Sequence, residues 1–545
     1  MNGTNWRRAL MTALWAALAA LILTAVGATG AIAGGDRATS HSGDDLVVAT
    51  HDGAVRGVAV SGGYAFRGLP YAAPPLRNLR WQPPQRPASW RGVRDATQFA
   101  PSCPQAKNLS QPPGPESEDC LYLNVSTPTL RKNARRPVLV WIHGGGLAED
   151  GALNYDGTKL AADGVVVVTI NYRLGALGFL AHPALASQPG GPAGNYGLMD
   201  QQAALRWVRH NVAAFGGDPH NVTIAGQSAG GLSVLAQLVS HGSRGLFDRA
   251  IVQSGAFALN QMPLADAEAF GQTFAAQVGC ADQTAACLRS VPAETLVQAF
   301  PNAAIPGVVD GKVLTEPIGT ALAAGRFARV PILDGLNHNE EWIFVAGVHV
   351  AVSGGRFVPA PAPTVATYES VIASVLGVSA ARASAVAAEY PPSAYPAPTP
   401  DISALVALST LVSDANFACP ALQVDQWTSA RVPTFAYEFD DGTAPSRFAH
   451  PGDLPPLATH SSEIQYLLDQ PNTPYPATFT SDQEALAQTM RRAWINFAVK
   501  GDPSSPQLAW PAIGSNESFI SFATPQSALG QNFGSLHHCA FWATN

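Results

Sequence analysis

The hydrophobic positions in the central and later parts of this chain are grouped in short continuous runs. Continuous apolar runs are typical of strands that are buried on both faces of a parallel sheet. The clearest runs are residues 138–142, 165–170, 222–225, 250–252, 331–333 and 435–437. Residues 46 to 70 have a different pattern, in which apolar residues alternate with glycines, and this predicts antiparallel strands joined by turns.

Apolar residues at helical spacing lie between several of these runs. Leu205, Val208 and Val212 form one such stripe, placed before the run at 222–225. Alternating strands and helices predict an α/β fold with a doubly wound, mostly parallel central sheet. In such a sheet, ligands bind at the carboxyl ends of the strands. No stretch has the composition of a linker, so residues 34–545 are expected to form a single domain.

Three stretches do not follow this alternation. Residues 70–115 are rich in proline and predict a loop that runs over the surface. Residues 345–364 contain Gly354 and Gly355 followed by spaced prolines, which indicates an insertion or lid over the sheet. Residues 380–400 are rich in alanine, serine and proline and are expected to be the most mobile part of the chain.

The amino terminus has the pattern of a targeting signal. Arg7 and Arg8 precede an apolar stretch at 9–26, and residues 31–33, Ala-Ile-Ala, match a signal peptidase site. We therefore predict that residues 1–33 are a signal peptide and that the protein is secreted or periplasmic. The alternative is an uncleaved membrane anchor, because the apolar stretch is near the lower limit for crossing a bilayer. After cleavage no stable membrane anchor is expected.

Composition excludes two classes of protein. Hydrophobic residues make up 47% of the 545 residues and charged residues 13%, which is typical of a folded chain with a large core and not of a disordered one. The formal net charge is −7, so the chain as a whole offers no basic surface for nucleic acid.

One serine occupies a position where a strand must turn sharply into a helix. The segment 226–230, Gly-Gln-Ser-Ala-Gly, follows the run at 222–225 and precedes an apolar stripe at helical spacing. This is the pattern of a nucleophile elbow, in which flanking glycines let the backbone cross tightly while the serine hydroxyl is exposed. We predict that Ser228 is the nucleophile and that the amide of Ala229 faces the position of a developing oxyanion.

A glycine loop supplies further candidate donors. His143 and then Gly144, Gly145 and Gly146 directly follow the run at 138–142, so their amides would lie at a carboxyl strand end. The two motifs stand in the chain order of an α/β-hydrolase, and we predict that Gly145, Gly146 and Ala229 form an oxyanion hole. The remaining members of a catalytic set are an acid and then a histidine. The residues alone leave several candidates, which include Asp310, Glu316, Asp334, Glu340 and Glu341 for the acid and are His349, His450, His460, His537 and His538 for the base.

Among the histidines, His460 is the best placed, because it ends a loop before Ser461-Ser462-Glu463, which resembles a helix start. His450, which precedes Pro451, is interpreted as an ordinary loop histidine.

The six cysteines of an exported chain are expected to form disulfides. Six cysteines allow fifteen pairings. The simplest pairs neighbours, joining Cys103 to Cys120, Cys280 to Cys287 and Cys419 to Cys539. A metal site is the alternative, but the chain has no C-x-x-C motif, and only His537 and His538 lie beside a cysteine. We therefore predict no metal site.

Several segments together resemble the type-B carboxylesterases, the cholinesterase-like branch of the α/β-hydrolases. The resemblance covers nearly all of the chain after the signal. Residues 117–125 are similar to one family signature, and residues 215–230 are similar to the nucleophile signature. Further matching segments are 66–72, 171–175 and Trp510-Pro511.

The resemblance narrows the choice of site residues. Residues 335–340, Gly-Leu-Asn-His-Asn-Glu, are similar to the family segment that ends in the triad acid, which implies Glu340. Glu341 is the substitute candidate, where the family usually has glycine, and it is expected to face solvent. The family places its triad histidine in a His-x-x-Glu setting, here His460 and Glu463, which implies His460 as the base. Gln227, which is next to the nucleophile, and Glu463 are expected to lie around the catalytic residues. The family also has three disulfides that match the neighbour pairing, and its chemistry needs no metal or cofactor.

Three departures from the cholinesterases bear on the substrate. Gln227 is neutral where they carry glutamate, residues 104–119 contain no aromatic residue, and Leu147 stands where the family usually has phenylalanine. We therefore predict a small neutral carboxylic ester as substrate and poor hydrolysis of choline esters. The alternatives are a lipase for longer acyl chains and a non-catalytic binding protein of the same fold. The sequence leaves the natural substrate and the oligomeric state open.

Overall fold

A computed structural model describes residues 46–106, 114–186, 191–300, 307–353, 356–445, 454–473 and 478–544. Residues 46–545 form one compact unit. The predicted signal peptide, residues 1–33, and His450 lie outside the described residues. The strands of the described part are β1 Val47–Ala49, β2 Ala54–Arg56, β3 Val58–Val60, β4 Gly63–Pro70, β5 Val93–Asp95, β6 Tyr122–Thr127, β7 Arg136–Ile142, β8 Val166–Ile170, β9 Gly217–Gln227, β10 Arg249–Gln253, β11 Met262–Pro263, β12 Val308–Val309, β13 Ile332–Asn337, β14 Val350–Ser353, β15 Arg356–Pro359, β16 Thr434–Phe439, β17 Phe519–Phe522 and β18 Ala528–Gly530.

The described α-helices flank these strands. They are α1 Thr158–Ala162, α2 Gly175–Phe179, α3 Tyr196–Asn211, α4 Ala229–Val239, α5 Leu264–Gln277, α6 Ala285–Ser290, α7 Ala293–Ala299, α8 Ile318–Ala323, α9 Tyr368–Leu376, α10 Ala380–Glu389, α11 Pro400–Ser413, α12 Cys419–Ser429, α13 Ile464–Leu467, α14 Ser481–Lys500, α15 Phe533–Leu536 and α16 Cys539–Ala543. Each of the six apolar runs identified in the sequence lies wholly or largely within a strand, and the stripe before 222–225 lies on α3 and just past its end.

The central sheet has 11 strands among the described residues, in the order β18-β17-β16-β13-β10-β9-β7-β8-β6-β4-β3. The strands from β8 through β7, β9, β10, β13 and β16 to β17 pair in parallel, and the strands at both edges pair antiparallel. This is the predicted α/β-hydrolase architecture. Because β7, β9, β10 and β13 are parallel neighbours, the segments that follow them meet at one edge of the sheet.

The central strands are apolar on both faces because a separate core lies on each side of the sheet. Val138, Val140 and Ile142 of β7 belong to one core, whereas Leu139 and Trp141 belong to the other. Successive side chains of a strand point to opposite faces, so a strand between two cores must be continuously apolar. The continuous apolar runs in the sequence therefore reflect strands that are covered on both faces.

A third core lies in the insertion that begins at residue 342. It contains buried side chains from the insertion, including Val345, Tyr368, Val371 and Leu408. The expected insertion at 345–364 contains the antiparallel pair β14–β15. In the stretch 380–400, which is rich in alanine, serine and proline, residues 380–389 form α10, whose Ala383 and Val386 are buried. Alanine has a high helix propensity, which fits this helix.

The helical segment Pro400–Ser429 is long and apolar enough to cross a membrane, but 61% of its most apolar 18-residue stretch is buried inside the protein. This is typical of a core helix. The three disulfides join Cys103 to Cys120, Cys280 to Cys287 and Cys419 to Cys539, which are the predicted pairs. Their Cα atoms are 5.0, 5.6 and 5.2 Å apart, within the usual range.

Candidate active site

Ser228 lies between the end of β9 and the start of α4. Its backbone has φ 58° and ψ −125°, a region that residues with a side chain seldom adopt. A Cβ built on Gly230 would lie 2.0 Å from the carbonyl oxygen of Ile142, and one on Gly226 would lie 2.5 Å from the carbonyl carbon of Gly230. Both glycines are therefore required by the close crossing of the strand and the helix. The predicted elbow is present.

The glycine loop after β7 lies against this elbow. A Cβ built on Gly144 would be 3.1 Å from the Cβ of Ser228 and 2.8 Å from the carbonyl oxygen of Gln227. Gly145 and Gly146 have φ of 83° and 62°, which glycine adopts without strain. No hydrogen bond between described residues uses the amide of Gly145 or Gly146, and Ala229 is the first residue of its helix, so its amide has no partner within that helix.

His460 and Glu340 form a buried pair beside the elbow. The His460 Nδ1 and a carboxylate oxygen of Glu340, Oε2, are in direct hydrogen-bond contact. The side chain of Glu340 is 0% exposed and that of His460 is 8% exposed. The rings of Phe344 and Phe417 lie 5.1 and 5.5 Å from the imidazole centre and limit its access to water.

The second carboxylate oxygen of Glu340 is also held. This oxygen, Oε1, accepts hydrogen bonds from the Ser254 hydroxyl at 2.5 Å and from the backbone N–H of Asn337 at 2.7 Å. A carboxylate with this many donors has a fixed orientation, so its other oxygen stays directed at His460.

The free nitrogen of His460 contacts Gln227. The Gln227 Nε2 lies 3.2 Å from the His460 Nε2. With the Nδ1 proton donated to Glu340, the Nε2 carries a lone pair that can accept this amide. No hydrogen bond of the Ser228 hydroxyl occurs among the described residues, and Gln227 contacts the ring nitrogen of His460 that is not bound to Glu340. The sequence placed Gln227 only near the site, not on the base itself.

Glu463 lies behind the pair. It is completely buried, and its carboxylate accepts hydrogen bonds from Gln253 Nε2 at 3.0 Å and Asn337 Nδ2 at 2.8 Å. Burial and the neighbouring charge of Glu340 raise the pKa of Glu463. Asn337 therefore contacts both Glu340 and Glu463 and fixes the spacing between them.

Glu341 does not face solvent, so that expectation was wrong. Its side chain is 0% exposed, and its two carboxylate oxygens lie 3.0 and 3.1 Å from the amide of Val352 on β14. The chain turns after Glu340 into the insertion, and Glu341 is directed into that insertion instead of outward. Burial and the charge of Glu340 raise the pKa of Glu341 well above its usual range.

The burial of Glu341 predicts how stability depends on pH. Because its folded-state pKa exceeds the unfolded value of 4.5, the folded protein keeps a proton that the unfolded chain releases. The contribution of Glu341 to the free energy of unfolding therefore falls as pH rises from about 4.5 towards the folded-state pKa. We expect Glu341→Gln to raise the melting temperature by a few degrees at pH 8 and to leave it nearly unchanged at pH 4.5. Exposed Glu484→Gln is the matched control. An equal effect of Glu341→Gln at both pH values would contradict the assignment.

The other candidate acids and histidines lie in different surroundings. Asp310 accepts amides of its own turn, Glu316 pairs with Arg326, and Asp334 is buried within β13. His537 and His538 contact Asp414 and Glu389 instead of the elbow.

The sequence did not identify Ser254, Asn337, Phe344 and Phe417 as site residues. Ser254 carries a usable signal, because it directly follows β10 at the same edge of the sheet. The two phenylalanines carry none, because they come from the insertion and from the turn before α12.

The comparisons with known proteins agree with this architecture. Residues 44–542 match the model of the Carboxylesterase family. A pyrethroid hydrolase, Ces2e of Rattus norvegicus, is 36% identical over 505 residues, covering 86% of this chain and 85% of that protein. The cocaine esterase of Homo sapiens is 34% identical and the para-nitrobenzyl esterase of Bacillus subtilis 35% identical, with 92% and 86% of this chain covered and 90% and 92% of those proteins.

The fold and the residues at its carboxyl edge define an α/β-hydrolase. The family match extends over nearly the whole described chain, and the relatives named above align over most of their own lengths. The chain belongs to the carboxylesterase family, the cholinesterase-like branch of that class, and it is a carboxylic ester hydrolase.

Proposed function

We propose that the protein hydrolyses neutral carboxylic esters through Ser228, His460 and Glu340. The contact between the His460 Nδ1 and the buried Glu340 carboxylate, at the sheet edge that also carries the Ser228 elbow, is the observation on which the proposal depends. A nucleophilic serine needs a base that is held in one tautomer by an acid. Glu340 meets that need because its other oxygen is fixed by Ser254 and Asn337.

The reaction proceeds in two steps. His460 takes the proton of the Ser228 hydroxyl as its oxygen attacks the ester carbonyl, and the amides of Gly145, Gly146 and Ala229 stabilise the negative oxygen. His460 then gives its proton to the departing alcohol, which leaves an acyl group on Ser228. Water attacks this acyl-enzyme by the same route and releases the acid. Hydrolysis of p-nitrophenyl acetate by a Ser228→Ala variant tests the nucleophile.

Gln227 has to move or share its contact during this cycle. Its amide lies 3.2 Å from the His460 nitrogen that accepts the serine proton. Substrate entry would exchange this contact for one between His460 and Ser228. Such tightening of catalytic hydrogen bonds in the substrate complex is common in enzymes.

The preference for neutral esters is supported by the charge next to the nucleophile. Gln227 is uncharged and 3% exposed, so the serine has no adjacent anion to hold a quaternary ammonium group. Leu147, which follows the glycine loop, is buried. Its aliphatic side chain has no aromatic face that could bind a cation. We expect faster hydrolysis of p-nitrophenyl acetate than of acetylcholine.

Gln227→Glu tests this preference. A carboxylate beside His460 attracts a cationic ester, and two unit charges 4 Å apart attract by about 1 kcal/mol in water. The ratio of acetylcholine to p-nitrophenyl acetate hydrolysis should therefore rise several-fold. The same charge favours the imidazolium, so the acidic limb of the pH–rate profile should move to higher pH. Neutral Gln227→Met is the control. Wild-type protein that prefers acetylcholine would contradict the neutral-ester assignment.

The disulfides bear on the cellular compartment of the protein. Three disulfides indicate an extracellular or secretory environment, because reducing compartments do not keep them. Export through a cleaved signal at residues 1–33 is part of the proposal. A lipase remains the alternative enzymatic role, and rates measured across acyl-chain lengths separate it from a short-chain esterase.

A further inference from the structure

A cluster of two histidines and one glutamate lies outside the active site. His338 follows β13, Glu438 belongs to β16, and His537 follows α15 near the carboxyl end of the chain. Their ligand-bearing atoms all lie within 4.8 Å of one another. The His338 Nδ1 is 2.7 Å and the His537 Nε2 is 3.0 Å from the same oxygen of Glu438. Segments far apart in sequence therefore converge on one point.

The His537 ring nitrogen at this point has no aligned hydrogen-bond partner. The side chain of His537 is 2% exposed, and among the described residues its Nε2, which lies 3.0 Å from Glu438, has no partner with hydrogen-bond alignment. A buried ring nitrogen left in this way has an unmet requirement for a partner.

The opposite side of His537 has the support that metal-binding histidines show. Its Nδ1 is 2.6 Å from Asp414, and the second Asp414 oxygen accepts the Tyr390 hydroxyl at 2.9 Å. Histidines that bind a metal commonly donate their other ring proton to a carboxylate, which fixes the ring and makes it a stronger ligand. Asp414 and Tyr390 provide this arrangement.

We propose that His338, Glu438 and His537 form a binding site for one divalent transition metal, with Zn²⁺ as the best match. Two imidazoles and one carboxylate are a common zinc ligand set, and a water completes four-coordination. Zinc bonds of about 2.0–2.1 Å place tetrahedral ligands roughly 3.3 Å apart. The observed separations from Glu438, 2.7 and 3.0 Å, need only a small outward shift, and the two ring nitrogens lie within 4.8 Å of each other.

Charge and access also suit a cation. Three carboxylates surround the two imidazoles, since Asp440 acts electrostatically on His338 in addition to Glu438 and Asp414. The His338 side chain is 30% exposed, which leaves a path from solvent.

The site would join three parts of the fold. The carbonyl of His537 is also 3.3 Å from the Cys419 sulfur of the last disulfide, so the metal and that disulfide hold the same carboxyl-terminal segment. His338 is two residues before Glu340, so the metal also anchors the loop that carries the proposed catalytic acid.

Zinc titration of the untagged, chelator-treated protein tests the site. Calorimetry should give one Zn²⁺ per chain, and zinc should raise the melting temperature, because a ligand of the folded state stabilises it. His338→Gln should weaken binding at least about tenfold, the lower end of the loss caused by removing even an outer partner. Asp414→Asn, which keeps all three ligands, should also weaken it measurably. Exposed His220→Gln should bind like wild type.

Two results would overturn the proposal. One is wild-type protein that binds no zinc in calorimetry. The other is zinc binding with unchanged affinity in His338→Gln, which would place the ion elsewhere. Because His338 is partly exposed and glutamine is a conservative replacement, the variant should fold, and circular dichroism checks this. The titration does not involve ester hydrolysis, so its outcome is independent of the catalytic assignment.

Discussion

Replacing Ser228 with alanine is expected to lower kcat for p-nitrophenyl acetate by on the order of 10⁴- to 10⁶-fold. The alanine keeps the strained elbow but has no hydroxyl to form the acyl-enzyme, so only the oxyanion amides and binding remain. The fold should survive, because the side chain of Ser228 makes no hydrogen bond among the described residues.

The measurement combines steady-state kinetics with covalent labelling of the active site. Wild-type protein should take up one equivalent of a phosphonate ester at Ser228, detected by peptide mass spectrometry, and Ser228→Ala should take up none. Ser370→Ala, an exposed serine on α9, controls for handling. Hydrolysis by Ser228→Ala at the wild-type rate would remove Ser228 from the mechanism.

Replacing Glu340 with glutamine is expected to lower kcat by on the order of 10⁴-fold. Two donors, the Ser254 hydroxyl and the Asn337 amide, face one oxygen of Glu340 and will keep the glutamine carbonyl on their side. The new NH₂ group then faces the His460 Nδ1. His460 must carry its proton on Nε2 instead, where it cannot accept the proton of Ser228.

Glu463→Gln is the matched control for this prediction. Glu463 is equally buried and contacts Asn337, but it accepts from Gln253 and Asn337 and makes no hydrogen bond to His460. The Glu463→Gln change should lower kcat by less than about 10²-fold, because it affects only the positioning of the neighbouring groups. Circular dichroism melting separates unfolding from loss of activity. If Glu463→Gln loses more activity than Glu340→Gln, the roles of the two acids are reversed.

The order of these effects has a structural reason. In the proposed mechanism, Ser228 supplies the atom that forms the bond and Glu340 sets the tautomer of the base, whereas Glu463 is linked to Glu340 through Asn337. Groups that act as one unit have non-additive effects, so the Ser228→Ala/Glu340→Gln double variant should be little slower than Ser228→Ala alone.

Local sequence was sufficient for features that depend on sterics between near neighbours. The Ser228 elbow, the glycine loop and the continuous apolar strands are of this kind. Gly226 and Gly230 are required where the helix crosses the strand end, and the run at 138–142 is apolar because both faces of β7 are covered. Each of these requirements acts within a few residues and is therefore visible in the sequence.

The tertiary structure alone decided which distant groups meet. Glu340 and His460 are separated by 120 residues, and residue chemistry left several acids and five histidines as candidates before the family resemblance was considered. The contact of Gln227 with His460 and the burial of Glu341 depend on how the insertion packs, which no local pattern encodes. The same holds for His338, Glu438 and His537, which share no sequence motif and are brought together by parallel strands and the carboxyl-terminal turn. Local sterics determined the backbone at Ser228, whereas its partners were determined by the topology of the sheet.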